Sequence, residues 1–389
     1  MPITVLCLLV LVLASSSSSS CHSQAWKTRV FVKHHHKAVP DEFKEEIMIE
    51  SGKDYFIKID VGSPYQSIEV LIDTGSHITW FFTPYSTPNM SSSIYFTPMH
   101  PYKSKTIHYV LKNEEECQMA SRRERYGDAD DDNCWIMCKY LDKSEVTGTL
   151  TIDSLQIGSG SEVSSFKAQH FLFSLIVKST GLMDINLFGF STPYGPKLGF
   201  LSQINAFAFS YCLPRQDGAG TLAINHDAIL QGPSTPLVVN TDGHYRLQVV
   251  GIRIFDEIMN ISSEAILDTG ANLSYFPSKI IKFMMAKLQN RLGIEAESLR
   301  GVSNYCYEKE LMDDIEDFNF TLIYTEGVEQ VVIKYVFFIP LWGPDNKNFC
   351  CAIVEIEEYD EIHIGSIMQQ NYNFVKNRAL INPTECNLL

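Results

Sequence analysis

The amino-acid sequence predicts an all-β protein, mostly antiparallel, with few helices. Short β-branched or aromatic segments recur from Asp54 onward, bounded by Gly, Pro, Ser or Asp, and each is predicted to be a strand; examples are "YFIKIDVG", "GTLTIDSLQIG", "HYRLQVVGIRI" and "EQVVIKYVFFIP". Helical periodicity is clear only over "PSKIIKFMMAKLQNRL", residues 277–292, where Pro stands at the start. A chain of 389 residues also favours two lobes over a single core.

One motif occurs twice, as an apolar strand followed by Asp-Thr-Gly. The copies "EVLIDTGSHITWF" and "AILDTGANLSYFP" place Asp73 and Asp268 195 residues apart (268 − 73). Downstream of each copy comes an apolar-apolar-Gly step, at 187–189 and, as a weaker match, at 363–365. This duplication, with one Asp per half, predicts two similar lobes that face each other.

The two Asp residues together predict a chemistry that one alone does not. A buried carboxylate is costly without partners, and a single Asp-Thr-Gly is typical of a plain β-turn. Two carboxylates held close together disfavour double ionisation, so one keeps its proton while the other acts as a base on water. The Thr hydroxyl braces the turn, and Gly lets backbone N–H groups approach the carboxylate. Such a pair needs neither a metal nor a covalent nucleophile.

Charge and spacing exclude several other classes of protein. The formal net charge of −15 argues against a nucleic-acid partner, because no basic face is available to neutralise phosphates. Cys134 and Cys138 lack the second pair that would complete a zinc site. The acidic run 128–133 lacks the Gly and distal Glu of a calcium loop, so a solvated loop is the better interpretation. We therefore expect no metal and no cofactor.

The first residues predict a secretory signal peptide over residues 1–25. An apolar run of twelve residues, 3–14, is short for a membrane span and typical of a signal sequence. Residues 26–52 begin with basic residues before any acid, so we interpret them as a flexible basic leader or pro-segment on an acidic body. No later apolar run is long enough to cross a membrane, so the mature chain is expected to have no span.

Cysteine usage agrees with a secretory protein. Eight of the ten Cys follow the expected leader, and an even number in such a chain favours disulfides. Three N-x-S/T sequons are candidate glycosylation sites: Asn89, Asn260 and Asn319.

Taken together, these motifs resemble the pepsin-like aspartic proteases and, within them, the plant nepenthesin-like branch. The resemblance covers nearly everything from Asp54 to Cys386, including "YFIKIDVGSPYQ", "FAFSYCLP" and "HIGSIMQQNYNFV". It implies the bilobal pepsin-like fold, with residues 53–204 and 205–389 as lobes around an active-site cleft. It further implies a monomeric endopeptidase active at acid pH on extended peptides, secreted to the apoplast or cell wall or sent to the vacuole.

The resemblance also assigns roles to individual residues. Asp73 and Asp268 correspond to the catalytic pair. The catalytic turns are supported by Thr74, Gly75 and Ser76 in the first copy and by Thr269, Gly270 and Ala271 in the second. The segment "YLDKSEVTG" resembles the flap over the substrate, so the flap and cleft residues are Tyr140, Asp142, Ser144 and the flap-supporting Trp80.

Three departures from the family pattern concern the site. Leu141 and Lys143 replace two flap glycines, which predicts a stiffer flap tip. His77 replaces the acid usual after Asp-Thr-Gly-Ser. Ala271 lacks the hydroxyl that the fourth position usually offers to its Asp, which favours keeping the shared proton on Asp268.

Disulfide pairings are expected by the same comparison. Cys212 should pair with Cys386. Cys306 should pair with Cys350 or with its neighbour Cys351. Cys117 should bridge to Cys134 or Cys138, and these alternatives stay open at the level of sequence.

The main alternative is a catalytically weak or inactive protein on the same fold, either an inhibitor or a peptide-binding protein. Members of the branch that are inhibitors typically lack one or both Asp motifs, whereas both are intact here. A structural or lectin-like β protein would explain the strands but not the paired motifs. The sequence therefore favours an aspartic endopeptidase.

Overall fold

A computed structural model gives the fold of the chain. It describes residues 26–34, 48–49, 53–87, 97–120, 131–140, 143–158, 166–180, 185–192, 198–214, 220–228, 232–238, 242–293, 295–299, 303–308, 310, 318–342, 348–357, 360–370, 372–373 and 378–383. The expected signal peptide, residues 1–25, lies outside the described residues, as do Asn89, Asp142 and Cys386.

Most described residues of the first half belong to one sheet of eleven strands, here called the N-terminal sheet. Two of its strand pairings are parallel and the others are antiparallel, and the strand that carries Asp73 lies near its middle. Its strands are Trp26–His34, Lys53–Val61, Gln66–Asp73, Trp80–Thr87, His108–Tyr109, Trp135–Lys139, Glu145–Ile157, Phe166–Thr180, Leu187–Gly189, Phe209–Cys212 and Gly220–Ile224.

The second half forms a sheet of nine strands, here called the C-terminal sheet. Its strands are Ser234–Val238, Arg246–Ile254, Glu257–Leu267, Ser274–Pro277, Asn319–Tyr324, Glu329–Ile333, Ile353–Ile356, Ile362–Ile364 and Arg378–Leu380. A five-stranded sheet contains Met48–Ile49, Glu297–Leu299, Ser303–Glu308, Phe338–Trp342 and Asn348–Cys351, and a two-stranded one pairs Tyr372–Asn373 with Asn382–Pro383. The all-β class predicted from the sequence is confirmed.

Helices are short, with one exception. The α-helices are Glu115–Met119, Phe200–Gln203, Ser278–Leu292 and Lys334–Phe337, and the 3₁₀ turns are Pro101–Lys103, Asn225–Asp227, Thr325–Gly327 and Ser366–Gln369. The predicted helix 277–292 is present as Ser278–Leu292, with Pro277 as its N-cap and Gly293 at φ 68° as its C-cap. Its buried face follows the helical repeat through Ile280, Ile281, Met284, Met285 and Leu288.

The two halves are joined by buried hydrogen bonds near the C-terminal segment "SIMQQ". Gln370 Nε2 donates to the hydroxyl of Tyr55 at 2.8 Å, and that hydroxyl donates to the carbonyl of Pro214 at 3.0 Å. Next to them the hydroxyl of Tyr211 donates to the side chain of Gln369. The end of the chain therefore packs against the strand Lys53–Val61 of the N-terminal sheet.

The prediction that residues 26–52 are flexible is wrong for two segments of this range. Residues 26–34 form a strand between Gly220–Ile224 and Lys53–Val61, and residues 48–49 pair with 341–342. Arg29 is exposed and the next residue, Val30, is buried, as expected where successive side chains of a strand point to opposite faces. The role of 26–52 as a pro-segment stays a prediction.

The segment "EQVVIKYVFFIP", predicted as one strand, is two strands separated by a helical turn. Glu329–Ile333 belongs to the C-terminal sheet, Lys334–Phe337 is helical, and Phe338–Trp342 belongs to the five-stranded sheet. The turn carries the chain from one sheet to the other while Val336 and Phe337 stay buried. A continuous apolar run does not reveal such a change of sheet.

Two of the expected disulfides are present. Cys117 bonds Cys134 rather than Cys138, and Cys306 bonds Cys350 rather than Cys351. Cys212 is also disulfide-bonded, and its expected partner lies outside the described residues.

Among the described residues, no helix combines the length and the apolar character that crossing a membrane requires.

Candidate active site

The first Asp-Thr-Gly turn is held between two neighbouring strands. Asp73 ends the strand Gln66–Asp73 and lies beside Gly189 of the parallel strand Leu187–Gly189. The N–H of Phe190 donates to the carbonyl of Asp73 at 2.7 Å. A Cβ on Gly189 would approach the backbone of Ile78 to 2.8 Å, so this close crossing requires glycine.

The second turn repeats this arrangement. The strand Glu257–Leu267 runs parallel to Ile362–Ile364, and the N–H of Asp268 donates to the carbonyl of Ile364 at 3.0 Å. A Cβ on Gly365 would approach the carbonyl oxygen of Leu273 to 2.3 Å. The two apolar-apolar-Gly steps noted in the sequence therefore have the same task, which is to let a strand pass close beside each Asp turn.

Four reciprocal hydrogen bonds connect the two turns. The N–H of Thr74 donates to Thr269 Oγ1 at 3.0 Å, and the N–H of Thr269 donates to Thr74 Oγ1 at 3.0 Å. Each hydroxyl then donates across the boundary, Thr74 to the carbonyl of Leu267 at 2.9 Å and Thr269 to that of Ile72 at 2.7 Å. Both Thr side chains are buried, so these bonds fix the relative position of the turns.

Each glycine of the motifs lies against the opposite carboxylate. A Cβ on Gly75 would come within 2.6 Å of Asp268 Oδ1, and one on Gly270 within 2.5 Å of Asp73 Cγ. Only glycine admits both carboxylates at this spacing, because real Cβ atoms do not approach so closely. The structure thus brings together the two Asp residues that the sequence singled out.

The two carboxylates receive different hydrogen bonds. Asp73 accepts from the N–H of Gly75 at 2.7 Å and from Ser76 Oγ at 2.5 Å. Asp268 accepts only backbone donors on Oδ1 among the bonds described, from Gly270 at 3.0 Å and Ala271 at 3.2 Å. A hydrogen bond from a hydroxyl group stabilises the ionised form, so Asp73 ionises more readily than Asp268.

Burial and mutual repulsion raise the proton affinity of the pair. Burial, followed by the charge of Asp73, raises the pKa of Asp268 to about 8. Burial also raises the pKa of Asp73, whereas hydrogen bonds from Ser76 and Gly75 and the charge of His77 oppose that rise. The arrangement favours a single proton held on the Asp268 side and shared with Asp73.

Restoring a hydroxyl donor beside Asp268 tests this asymmetry. In Ala271→Thr the new donor should stabilise the Asp268 carboxylate, so the shared proton is lost at lower pH and the upper limb of a pH–rate profile moves down. We expect a shift of about 0.5 to 1 pH unit, measured on one peptide between about pH 2 and 8. Ala271→Val, which adds bulk without a donor, is the control; an upper limb that stays put or rises in Ala271→Thr would contradict the assignment.

Tyr140 is connected to the first Asp turn by hydrogen bonds. Trp80 Nε1 donates to the hydroxyl of Tyr140 at 2.7 Å, and this hydroxyl also hydrogen-bonds Ser76, the partner of Asp73. Burial, together with neighbouring charges that include Asp73, raises the pKa of Tyr140 well above its usual range. Trp80 is fully buried against Phe82, Val146, Ile176 and Leu187, which fixes the indole donor.

Two backbone hydrogen bonds connect Tyr140 with Lys143 and Ser144. The N–H of Lys143 donates to the carbonyl of Tyr140 at 3.0 Å, and the N–H of Tyr140 donates to that of Ser144 at 3.0 Å. Ser144 is buried, whereas Asp142 lies outside the described residues. Lys143 adopts φ 67°, the left-handed region that glycine occupies without a Cβ penalty.

Lys143→Gly should relieve this turn. We expect the substitution to stabilise the folded flap by about 1 kcal/mol, since an L-residue pays roughly 1–2 kcal/mol in the left-handed region. If tip stiffness limits turnover, Lys143→Gly combined with Leu141→Gly should also raise kcat on several unrelated peptides. Lys143→Ala, which keeps the Cβ, separates backbone strain from loss of the charge; equal thermal stabilities of the Gly and Ala variants would contradict the strain argument.

The sequence pattern points to only one of two histidines near the site. His77 is a departure from the family pattern, whereas His244 carries no local signal. The centroids of the two rings lie 6.2 Å apart. They come from opposite halves of the chain, so only the tertiary structure reveals the pair.

Two of the candidate glycosylation sites lie at exposed positions. Asn260 and Asn319 are exposed in strands Glu257–Leu267 and Asn319–Tyr324. Among the parts of the chain that the structure describes, no group of three His, Cys, Asp or Glu side chains could hold a metal ion.

Comparison with known proteins finds similarity to plant aspartic proteases over most of the chain. Residues 55–224 match the family model described as xylanase inhibitor N-terminal. The chain is 24% identical over 354 residues to aspartyl protease UND of Arabidopsis thaliana, covering 87% of both. It is 21% identical over 368 residues to aspartic proteinase nepenthesin-2 of Nepenthes gracilis, covering 86% of this chain and 78% of the relative.

Solved structures share the fold. Conglutin gamma, a basic 7S globulin from lupine seeds, superposes with a TM-score of 0.69 at 16% identity, covering 94% of this chain and 99% of its own. Basic 7S globulin from soybean gives a TM-score of 0.69 at 14% identity, covering 94% and 96%. Neither of these two is named as a peptidase.

Proposed function

Because this chain is related to the plant pepsin-like aspartic proteases, we propose that it is an aspartic endopeptidase that hydrolyses peptide bonds of proteins at acid pH. The observation that carries the proposal is the contact of the two Asp turns. Gly75 and Gly270 each lie against the opposite carboxylate, which a pair of unrelated β-turns would not need.

The proposed mechanism uses one proton held between the carboxylates. Asp73, as the carboxylate, takes a proton from a water molecule whose oxygen attacks the carbonyl carbon of the peptide. Asp268, which holds its proton to higher pH, donates that proton to the carbonyl oxygen. The C–N bond of the tetrahedral intermediate then breaks, and the amine leaves with the proton that Asp73 had accepted. One of the two hydroxyl groups of the intermediate returns a proton to Asp268 as the carboxylic acid forms, which restores the pair.

The flap is the second part of the proposed active site, in addition to the pair of Asp residues. Tyr140 is bonded to Trp80 on one side and to Ser76 on the other, so its position is coupled to that of Asp73. A flap of this kind covers an extended peptide and excludes water from the reacting bond. We propose that Tyr140, Trp80, Asp142 and Ser144 line this cleft, and that residues 53–204 and 205–389 are the lobes on either side.

A peptide-library digest tests the proposed activity. Purified protein incubated at about pH 3 to 6 should cut extended peptides, preferentially beside bulky apolar residues, and pepstatin should suppress the cuts. Asp73→Asn protein, purified in the same way, is the control for contaminating peptidases. Cuts that persist with pepstatin and in the variant would come from another enzyme, and no cuts at any pH would reject the proposal.

A second candidate is an inhibitor or peptide-binding protein with little or no catalysis. It is favoured by the match to a family model named for a xylanase inhibitor and by the fold shared with two globulins. Under this alternative the protein would bind a peptide or protein without cutting it. The same digest distinguishes the two, since only the peptidase gives pepstatin-sensitive products.

The disulfides support a place for this protein in the secretory pathway. Two intrachain disulfides are consistent with a protein of the secretory pathway. We propose that the mature protein acts as a monomer in the apoplast, cell wall or vacuole, on protein or peptide substrates and without nucleic acid. The basic leader 26–52 would act as a pro-segment, and N-terminal sequencing of the mature protein would locate its boundary.

A further inference from the structure

His77 lies directly behind the first Asp turn. It follows Ser76, whose hydroxyl donates to Asp73 Oδ2 at 2.5 Å and whose carbonyl accepts from the N–H of Ser191 at 3.1 Å. These bonds fix the backbone on which the imidazole stands. His77 is half-buried, and a positive charge on it lowers the pKa of Asp73.

The partner of His77 comes from the other half of the chain. The carbonyl of Gly243 accepts from the N–H of Thr192 at 2.8 Å, which brings the segment before the strand Arg246–Ile254 against the first turn. The carbonyl of Tyr245 accepts from the N–H of Leu267 at 3.0 Å, one residue before Asp268. His244 is therefore tied to both Asp turns, and its ring centroid lies 6.2 Å from that of His77.

Charged groups surround His244 on the side of the C-terminal sheet. The N–H of His244 donates to Asp242 at 3.0 Å. Arg246 binds three carboxylates, Asp242 at 2.6 Å, Glu264 at 3.1 Å and Glu361 at 2.7 Å, and His363 is buried close by. Burial lowers the pKa of His244; the charges of His77, Arg246 and His363 lower it further, while Asp242 opposes them. Burial lowers the pKa of His363 as well.

We propose that His77 and His244 form a proton-binding pair at the boundary of the two halves, whose positive charge in acid holds Asp73 as the carboxylate and extends hydrolysis to lower pH. This inference rests on the proposed function. The charge of His77 lowers the pKa of His244, whose ring centroid lies 6.2 Å from that of His77. His77 is a positioning residue in this account, since it acts through Asp73 and not on the substrate.

The sign of the effect on Asp73 follows from its neighbours. Burial is the main cause that raises the pKa of Asp73, and the hydrogen bonds from Ser76 and Gly75 and the charge of His77 work against it. Histidines are cationic in the acid range where carboxylates titrate. Removing the His77 charge should therefore make Asp73 take up a proton at higher pH. The pH range of activity would then be narrower at its acid end.

The test is the acid limb of kcat/KM against pH for matched variants. His77→Gln should move its midpoint upward by about 0.5 pH unit, less than the 1–3 units of a direct ion contact. His77→Asp, which inserts the residue type usual in the resembled family, should move it further in the same direction. His244→Gln should give a smaller upward shift, and His226→Gln, an exposed histidine against Phe207, should give none.

A purely structural role of His77 would instead lower the rate by one factor at every pH, and that result would overturn the proposal. So would a midpoint in His77→Gln equal to that of the wild type, or a downward shift in His77→Asp.

A titration of the Asp73 carboxyl carbon by ¹³C NMR, assigned by difference against Asp73→Asn, keeps the inference separate from activity. If no variant hydrolyses peptides, the proposed function fails, but a higher Asp73 midpoint in His77→Gln still supports the pair. An unchanged midpoint overturns it.

Discussion

Replacing either Asp of the two turns with Asn is expected to abolish peptide hydrolysis. Each substitution removes one half of the acid–base pair, a contribution of roughly 10²–10⁴ in rate for each group alone. Because the two groups act as a unit, the double variant Asp73→Asn/Asp268→Asn should be about as inactive as either single one. Steady-state kinetics on the best library peptide, at the pH optimum of the wild type, measures this directly.

The Asp268→Asn substitution is also expected to change the stability of the folded protein, in a direction that the pKa of Asp268 determines. The pKa of Asp268 is raised from its ordinary 3.8 to about 8 in the folded protein. The folded state thus keeps a proton that the unfolded chain releases, so this group costs stability as the pH rises from about 4 to about 8. Asp268→Asn removes that cost and should raise the melting temperature at about pH 8, by roughly 2–4 °C for each 1 kcal/mol.

One result would contradict this part of the account. Melting curves of each variant are measured alongside the kinetics, because a loss of activity together with the fold would leave the loss of rate without a mechanistic cause. Asp268→Asn that kept most of its hydrolysis would show that the shared proton is not needed.

The second large effect concerns the hydrogen bonds between the turns. Thr74→Val removes the acceptor for the N–H of Thr269 and the donor for the carbonyl of Leu267, and both groups are buried at this boundary. Each buried group left unpaired costs about 1–3 kcal/mol, so we expect a destabilisation of about 2–6 kcal/mol in denaturant unfolding. Activity should fall as well, because the turn that carries Asp73 is no longer fixed against its partner.

Thr74→Ser is the matched control, since it keeps the hydroxyl and loses only a methyl group. It should cost about 1 kcal/mol or less, close to the value of one buried CH₂. If Ser and Val destabilised the protein equally, packing of the methyl group would be the cause and the hydrogen bonds would not matter.

The parts of the fold that the sequence predicted are those with a local pattern. The helix 277–292 has a regular apolar face and a proline at its start, and it appears at Ser278–Leu292. The two Asp turns were recognisable because the same strand-and-turn pattern occurs twice, and the structure brings both to one place. In each case the residues that decide the structure are neighbours in the chain.

The parts that the sequence left open depend on distant neighbours. Cys350 lies directly opposite Cys306 in the register of two antiparallel strands, with Cα atoms 4.1 Å apart. The adjacent Cys351 is a buried free thiol, because successive side chains of a strand point to opposite faces. His244 reaches His77 only through the packing of the two halves, which no local pattern encodes.

The most direct measurement of the central claim is the protonation of the pair at about pH 6, where ordinary Asp and Glu side chains are ionised. The infrared carbonyl band of a protonated carboxylic acid identifies such a group, and the difference between wild type and Asp268→Asn isolates its source. The account predicts one protonated carboxylic acid in the wild type that disappears in Asp268→Asn, together with hydrolysis in the wild type alone. A wild-type protein with no protonated acid at this pH would contradict it.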